Sequence, residues 1–402
     1  MPASPSTARA INDRMALEHL QRQGPLTAAQ LKQLTGLSRP TVADLVERLQ
    51  SSGLVHIVGE SGGDRRGPNA RVYGIVADRA HLAGLDIRTG SVFVVVADLL
   101  GRTLAEAAAP VDDSTDPREA AEQAASLLDH TVKEAGATRL HSVAVGAPGL
   151  VDPVTGELRD SSGLPAWHRR LVGVLPDRLA ADVLVENETN LAAVAEQRIG
   201  AARDHDDFAL LWLGLSVGAA VVIGGRLRRG VSGGAGEISF LPVPGTAGLP
   251  SSTGCDAGLH GLVCSAAVRE LALRHGIGAT PAPHEPSAAA YIRAAPGAGA
   301  AGARFLDDLA DRVALGAAAL TTVLDPGLVV LSGELGHAGG EALAGRVEKR
   351  LAALCPLRTE VVPTALGGAA VLRGAVLTAR DAAQDELFRP GPSPARALAH
   401  RG

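Results

Sequence analysis

A meander of three short apolar stretches occurs twice in this chain, and this duplication constrains the fold more than any other feature. HLAGLDI, SVFVVVADL and RTLAEAAAP run from residue 81 and are separated by tight turns. A second meander, FALLWLGLSVGAAVVIGGRLRRG, begins at Phe208 with Gly224-Gly225 at its turn. Alternating or continuous apolar runs bounded by glycine read as strands joined by hairpins. A helix over residues 117–135 and a strand over 142–145 follow the first meander, and a further strand over 183–186 opens onto a helix over 189–199. After the second meander, helices dominate and are interrupted by the strand LVVLSG at 328–333. Two like halves of this kind predict a two-lobed α/β body with a cleft between the lobes.

The first 77 residues follow a different plan. Residues 11–20 place apolar side chains at helical spacing, and Gly24-Pro25 ends that helix. Thr27 caps a short helix, Gly36 makes a turn, and Ser38 caps a third helix with Pro40 in its first turn, where a missing N–H costs nothing. Val42, Leu45, Val46 and Leu49 form the buried stripe of that helix, and Asp44 and Glu47 lie opposite it. Strands over 54–58 and 71–76 flank the basic, glycine-rich loop ESGGDRRGPNA. Helix, helix, turn, helix and a two-stranded ribbon make a winged helix-turn-helix. The expected organisation is a head over 1–77, a small lobe over 78–187, a large lobe over 188–384 whose last helix can return to the small lobe, and a disordered tail over 385–402. Residues 278–303, rich in Ala, Pro and Gly, read as a mobile insertion.

Charge agrees with this division. Residues 1–77 carry nine Arg and Lys against six Asp and Glu, whereas the whole chain stands at −5, which leaves −8 on the body. A basic head on an acidic body suits a DNA-binding module with operator DNA as partner. Ser38, Arg39 and Thr41 sit at the N-terminal end of the third helix, the end that enters the major groove in this class of motif. Arg65 and Arg66 on the wing are candidates for phosphate or minor-groove contacts. Three scattered cysteines build no disulfide framework and fit a reducing, cytoplasmic setting. No leader-like segment or run of about 18 apolar residues is present, so no membrane partner is expected.

Four segments taken together resemble the ROK family of repressors and sugar kinases. They are GLSRPTVADLVERLQSSGLV with its wing; GLDIRTG, VAVGAPGLVD and GLPAW; VENETNLAAVAE; and GLSVGAAVVIGGRLRRGVSGGAGEI with LDPGLVVLSG. The resemblance implies an actin-like, ribonuclease-H-like ATPase fold behind the winged helix, acting as a homodimer or homotetramer. It implies a ligand-responsive regulator whose cleft offers Asn187, Glu188 and Glu237 to a sugar or polyol effector.

The departures from the family pattern argue against catalysis. Family kinases read Asp-x-Gly-Gly-Thr at the first turn, where glycines let phosphates approach backbone N–H groups. Here Asp86 is followed by Arg88, Thr89 and Gly90, and Asp86 is expected to cap its own turn. Glu188 stands where the family has a catalytic Asp, and one extra methylene misplaces the carboxylate by about an ångström. The family's zinc pattern, Gly-Glu-x-Gly-His and then Cys-x-Cys-Gly-x-x-Gly-Cys, is lost. Phe240 replaces the histidine, and only Cys255 and His260 could ligate nearby. No metal and no cofactor are expected, and Cys255 and His260 are read as unpaired. Trp167 is read as a packing residue at the cleft rim. Two alternatives stay open: a sugar kinase with an accessory DNA-binding head, and a regulator of this family that no longer senses sugar.

Overall fold

The computed structural model describes residues 5–61, 70–112, 114–159, 164–282 and 285–388. Helix α1 (Pro5–Gln23) leads into the short strand β1 (Leu26–Thr27) and helices α2 (Ala28–Thr35) and α3 (Arg39–Ser51). The caps follow the sequence. Thr27 and Gln30 form a reciprocal capping box, and Gly36, at φ 70°, closes α2 by donating its N–H to Lys32 O. Ser38 accepts from Thr41 N to start α3. Strands β2 (Val55–Ser61) and β3 (Ala70–Ile75) form the ribbon, and β1 pairs with the outer side of β3. Leu31, Val42, Leu45, Val46 and Leu49 are buried, which is the 3.6-residue stripe read from the sequence. Arg65 and Arg66 lie outside the described residues.

The body contains two five-stranded sheets of identical topology. The first consists of β4 (His81–Arg88), β5 (Ser91–Asp98), β6 (Thr103–Pro110), β7 (Ser142–Ala147) and β8 (Asp182–Asn187), in the order β6-β5-β4-β7-β8. The second consists of β9 (Phe208–Leu213), β10 (Val217–Ile223), β11 (Arg226–Arg228), β12 (Leu328–Ser332) and β13 (Glu360–Pro363), in the order β11-β10-β9-β12-β13. In each sheet the meander pairs antiparallel and the last two strands add in parallel. Parallel additions need helical crossovers, and these put helices on both faces and make the strands continuously apolar. Side-chain alternation then divides the cores. Along β9 and β12, Phe208, Leu210, Leu328 and Val330 face one cluster, and Ala209, Leu211, Val329 and Leu331 face another.

Helices α4 (Pro117–Glu134) and α5 (Ala166–Arg178) cover one face of the first sheet, and α6 (Glu188–Ile199) follows β8. Beyond the second meander come α7 (His260–Val263), α8 (Ser265–Arg274), α9 (Ser287–Ala294), α10 (Gly299–Leu324), α11 (Gly333–Leu354, broken at Gly340) and α12 (Ala370–Leu387). The last of these crosses back to pack on β4 and β7 of the first sheet. Glycine makes that packing close. An ideal Cβ on Gly146 would stand 2.7 Å from Val371 Cγ1, and one on Gly84 would stand 3.1 Å from Ala375 Cβ.

Two expectations are corrected. Residues 278–303 are not a mobile insertion among the described residues. They include α9 and the start of α10, with Ala288, Ala289, Tyr291 and Ile292 buried, because alanine-rich sequence favours helix and Tyr291 and Ile292 supply an apolar face. The expected tail begins too early: α12 continues through Asp385–Leu387, and Phe388 is buried in an apolar cluster that also holds Leu17 and Leu20 of the head. Residues 389–402 lie outside the described residues. No helix among those described is long and apolar enough to cross a membrane.

Candidate functional site

On the head, Ser38 and Arg39 are exposed and Thr41 is half-buried at the start of α3. The Ser38 and Thr41 hydroxyls bond each other at 2.8 Å, which fixes the helix entry and leaves Arg39 projecting beside them. Arg48 faces away from this end. It bonds Asp13 of α1 at 2.5 Å and also pairs with Asp44, so both carboxylates brace the head internally. The exposed N-terminal turn of α3 therefore presents hydroxyls, one guanidinium and helix N–H groups, a set suited to phosphate and base edges.

The second candidate lies where the two sheets meet. Asp86, near the end of β4, is 2% exposed. Residues two apart on a strand share a face, so Arg88 points the same way. Arg88 Nε donates to Asp86 Oδ2 at 2.8 Å, and Nη2 lies 2.7 Å from the same oxygen. The guanidinium then reaches the second half of the molecule. Nη1 stands 3.5 Å from Glu334 Oε1 in the first turn of α11, and Nη2 donates to Gly368 O at 3.1 Å. Its carbon lies 4.5 Å over the Phe93 ring. The expectation that Asp86 caps its own turn is thus corrected: its carboxylate is taken by the guanidinium two residues on. Burial pushes the Asp86 carboxyl up from its ordinary value, against the pull of Arg88. Glu334 is likewise pushed up by burial, again opposed by Arg88. His168 Nε2 meets Arg88 O at 3.3 Å, and burial lowers its pKa to about 4, so the ring is neutral and donates there.

Asn187 and Glu188 join β8 to α6, as the sequence places them, but their side chains do different work. Asn187 Oδ1 accepts from Thr189 N at 2.8 Å and Asn190 N at 3.3 Å, and Nδ2 donates to Gly149 O at 3.0 Å. Its side chain caps α6 and pins a loop. Glu188 Oε2 is sealed from solvent and has no hydrogen-bond partner among the described residues. Burial raises the Glu188 carboxyl well above its ordinary value against its own backbone amide, and Asp86, Glu237 and Glu334 add repulsion. Glu237 is solvent-accessible, with Ser239 Oγ 3.4 Å from its Oε2, and Phe240 is 40% exposed beside it. The structure thus gathers Asp86, Arg88, Glu188, Glu237 and Glu334 into one charged cluster and leaves Asn187 as its scaffold.

Sequence reasoning singled out Arg88 as a departure but missed its pairing with Asp86, and it missed Glu334 and a second tie between the halves, in which Arg229 Nε donates to Glu186 Oε2 at 2.6 Å. An arginine two residues from a strand aspartate was a readable signal for the first pairing. The other two depend on chain segments far apart in sequence. Trp167 is 4% exposed, within the first sheet's core. Cys255 and His260 are not isolated: with Asp256 their ligand atoms lie within 4.8 Å of one another. His260 Nδ1 also bonds Ser216 Oγ at 3.1 Å, and a bond to Cys264 raises its pKa. The Asp256 side chain is 98% exposed, so these groups do not close a buried tetrahedral site.

Residues 82–382 match the ROK family, and residues 11–67 match the MarR family. The Bacillus subtilis xylose repressor is 24% identical over 246 residues, which cover 60% of this chain and 62% of the repressor. The Escherichia coli DNA-binding transcriptional dual regulator NagC is 25% identical over 247 residues, covering 58% of this chain and 57% of that protein. The chain therefore spans about three fifths of the length of the curated relatives it matches. Among solved structures, a ROK family transcriptional regulator described as a homologue of E. coli MLC superposes with a TM-score of 0.75 at 19% identity, covering 95% of this chain and 98% of that one. A ROK hexokinase from Thermus thermophilus superposes at 0.61 with 26% identity, covering 76% and 99%.

Proposed function

The chain belongs to the ROK family, and from that premise we propose that it is a DNA-binding transcriptional repressor whose kinase-like body senses a ligand rather than phosphorylating one. The observation that carries this reading is Arg88. Its guanidinium, held by Asp86, Glu334 and Gly368 O, fills the turn where a nucleotide-binding relative has glycines. A side chain at that position hinders the close backbone approach that a nucleotide's phosphates use. Glu188, favoured in its protonated form by burial, is suited to donating a hydrogen bond to a ligand. Zinc does not fit either, with Phe240 at the family's histidine position and an exposed Asp256 in the remaining cluster.

The head supports operator binding through Ser38, Arg39 and Thr41, with Arg65 and Arg66 added from the wing. A homodimer or homotetramer would present two heads to a palindromic site. The cleft supports an uncharged polyol effector. Glu188 and Glu237 offer hydrogen bonds to hydroxyls, and Phe240 offers an apolar wall. Asn187 holds the scaffold in place. An effector acts only through different affinities for the DNA-competent and DNA-incompetent states.

Gel retardation of the chain's own promoter DNA by the full chain, against a chain lacking residues 1–77, tests the reading. Retardation by the full chain alone is expected, and retardation by the headless chain would assign DNA binding elsewhere. Glu237→Ala should retain DNA affinity and ignore any polyol that releases the parent protein; a full response by the variant would remove Glu237 from the effector site.

A further inference from the structure

Helix α12 runs from the cleft to the head. In the turn just before it, Gly368 O accepts from Arg88 at 3.1 Å. At its end, Gln384 Nε2 donates to Gln21 Oε1 of α1 at 2.9 Å and to Leu99 O at 3.1 Å, and Asp385 pairs with Arg14 of α1 at 2.5 Å. Leu17 and Leu20 of the head share one apolar cluster with Leu99, Ala379, Ala383 and Phe388. An 18-residue helix is about 27 Å long, so these two sets of contacts sit at opposite ends of one rod.

The rod is packed without slack. A Cβ on Gly374 would collide with the Leu191 carbonyl of α6, and Gly146 and Gly84 let the Val371 and Ala375 side chains of α12 press against the first sheet. Helix α6 itself begins with Glu188. Packing this close leaves little free space between the elements to absorb a displacement, so they move together.

We propose that Arg88 is the positioning residue of the cleft and that α12 carries its position to the head. Asp86 holds Arg88 at 2.8 Å, whereas Glu334 is the looser partner at 3.5 Å. A ligand lodged beside Glu334 competes for the guanidinium. Arg88 then stays on Asp86 and releases Glu334 and Gly368, freeing the turn that leads into α12. The head reads this change through Gln384 with Gln21 and Asp385 with Arg14. The inference rests on the regulator reading above, and two separate measurements keep the two apart.

The test is a double-mutant cycle on the full chain, with dissociation constants for its own promoter DNA at fixed salt. Glu334→Gln and Gln384→Ala should each weaken binding by about tenfold, within the usual span of allosteric coupling. Because both act on the same rod, the double variant should be no weaker than the worse single one. Changes this far apart without shared partners ordinarily add, so fold-changes that simply multiply would overturn the relay. An unchanged affinity in Glu334→Gln would overturn it as well. Arg88→Lys keeps the charge and loses the fork, and it replaces Glu334→Gln in the cycle if that variant does not fold. Amide hydrogen exchange over residues 14–23 is the second readout. Faster exchange there in Glu334→Gln is expected, and unchanged exchange refutes the relay. If the parent protein ignores its promoter, the regulator reading falls, and the exchange measurement still decides the relay.

Discussion

Arg88 Nε donates to Asp86 Oδ2 across 2.8 Å from two positions further along the same strand, and Asp86 is 2% exposed. A buried carboxylate is tolerated here because its counter-charge is local and shares its face of the sheet. Removing only the cation leaves the carboxylate uncompensated, a change that costs about 3–5 kcal/mol in comparable buried pairs. Arg88→Met should therefore be strongly destabilised in chemical denaturation, and Asp86→Asn combined with Arg88→Met should recover most of the loss. Equal destabilisation of the single and double variants would show that the pair is not coupled.

Glu188 gives a pH signature. Its folded carboxyl, raised above the ordinary 4.5 by burial, holds its proton more tightly than the unfolded one. The stability it contributes is fully present below about pH 4.5 and is lost as pH rises through the raised folded value. Glu188→Gln cannot ionise and escapes that loss. It should be more stable than the parent at neutral pH, with the difference vanishing below the unfolded value. Thermal melts from pH 4 to 8 read this directly, and a pH-independent difference would contradict it.

On the head, Arg39→Ala should weaken operator binding by about 1–3 kcal/mol and relax sequence preference if Arg39 reads a base edge. Arg65→Ala should weaken all DNA sequences alike and flatten the salt dependence. Titrations against the promoter and a scrambled duplex at several salt concentrations separate the two roles. Loss of specificity in the wing variant alone would reverse the assignment.

A coupled assay with ATP and a panel of hexoses should show no turnover approaching an ordinary enzyme's rate of roughly tens per second. Turnover at that rate would restore the kinase reading. Chelation should leave the melting temperature unchanged, because Cys255, Asp256 and His260 do not enclose a metal; one tightly held zinc per chain by elemental analysis would show that they do.

The sequence alone determined what depends on neighbours in the chain. Thr27 with Gln30, Gly36 and Ser38 set the helix ends of the head, and the repeated meander set both sheets, because caps and side-chain alternation act over a few residues. The family departures at Arg88, Glu188 and Phe240 were equally legible. Tertiary structure alone decided what those residues do. Asn187 became a scaffold, Glu188 was sealed among carboxylates, and residues 287–303 became helix once a core was there to bury them. Arg88 met a carbonyl 280 positions away. No local propensity encodes such a contact. It exists because duplicated sheets and the returning α12 bring the ends of distant strands and helices together, and the low polarity there fixes which charges pair.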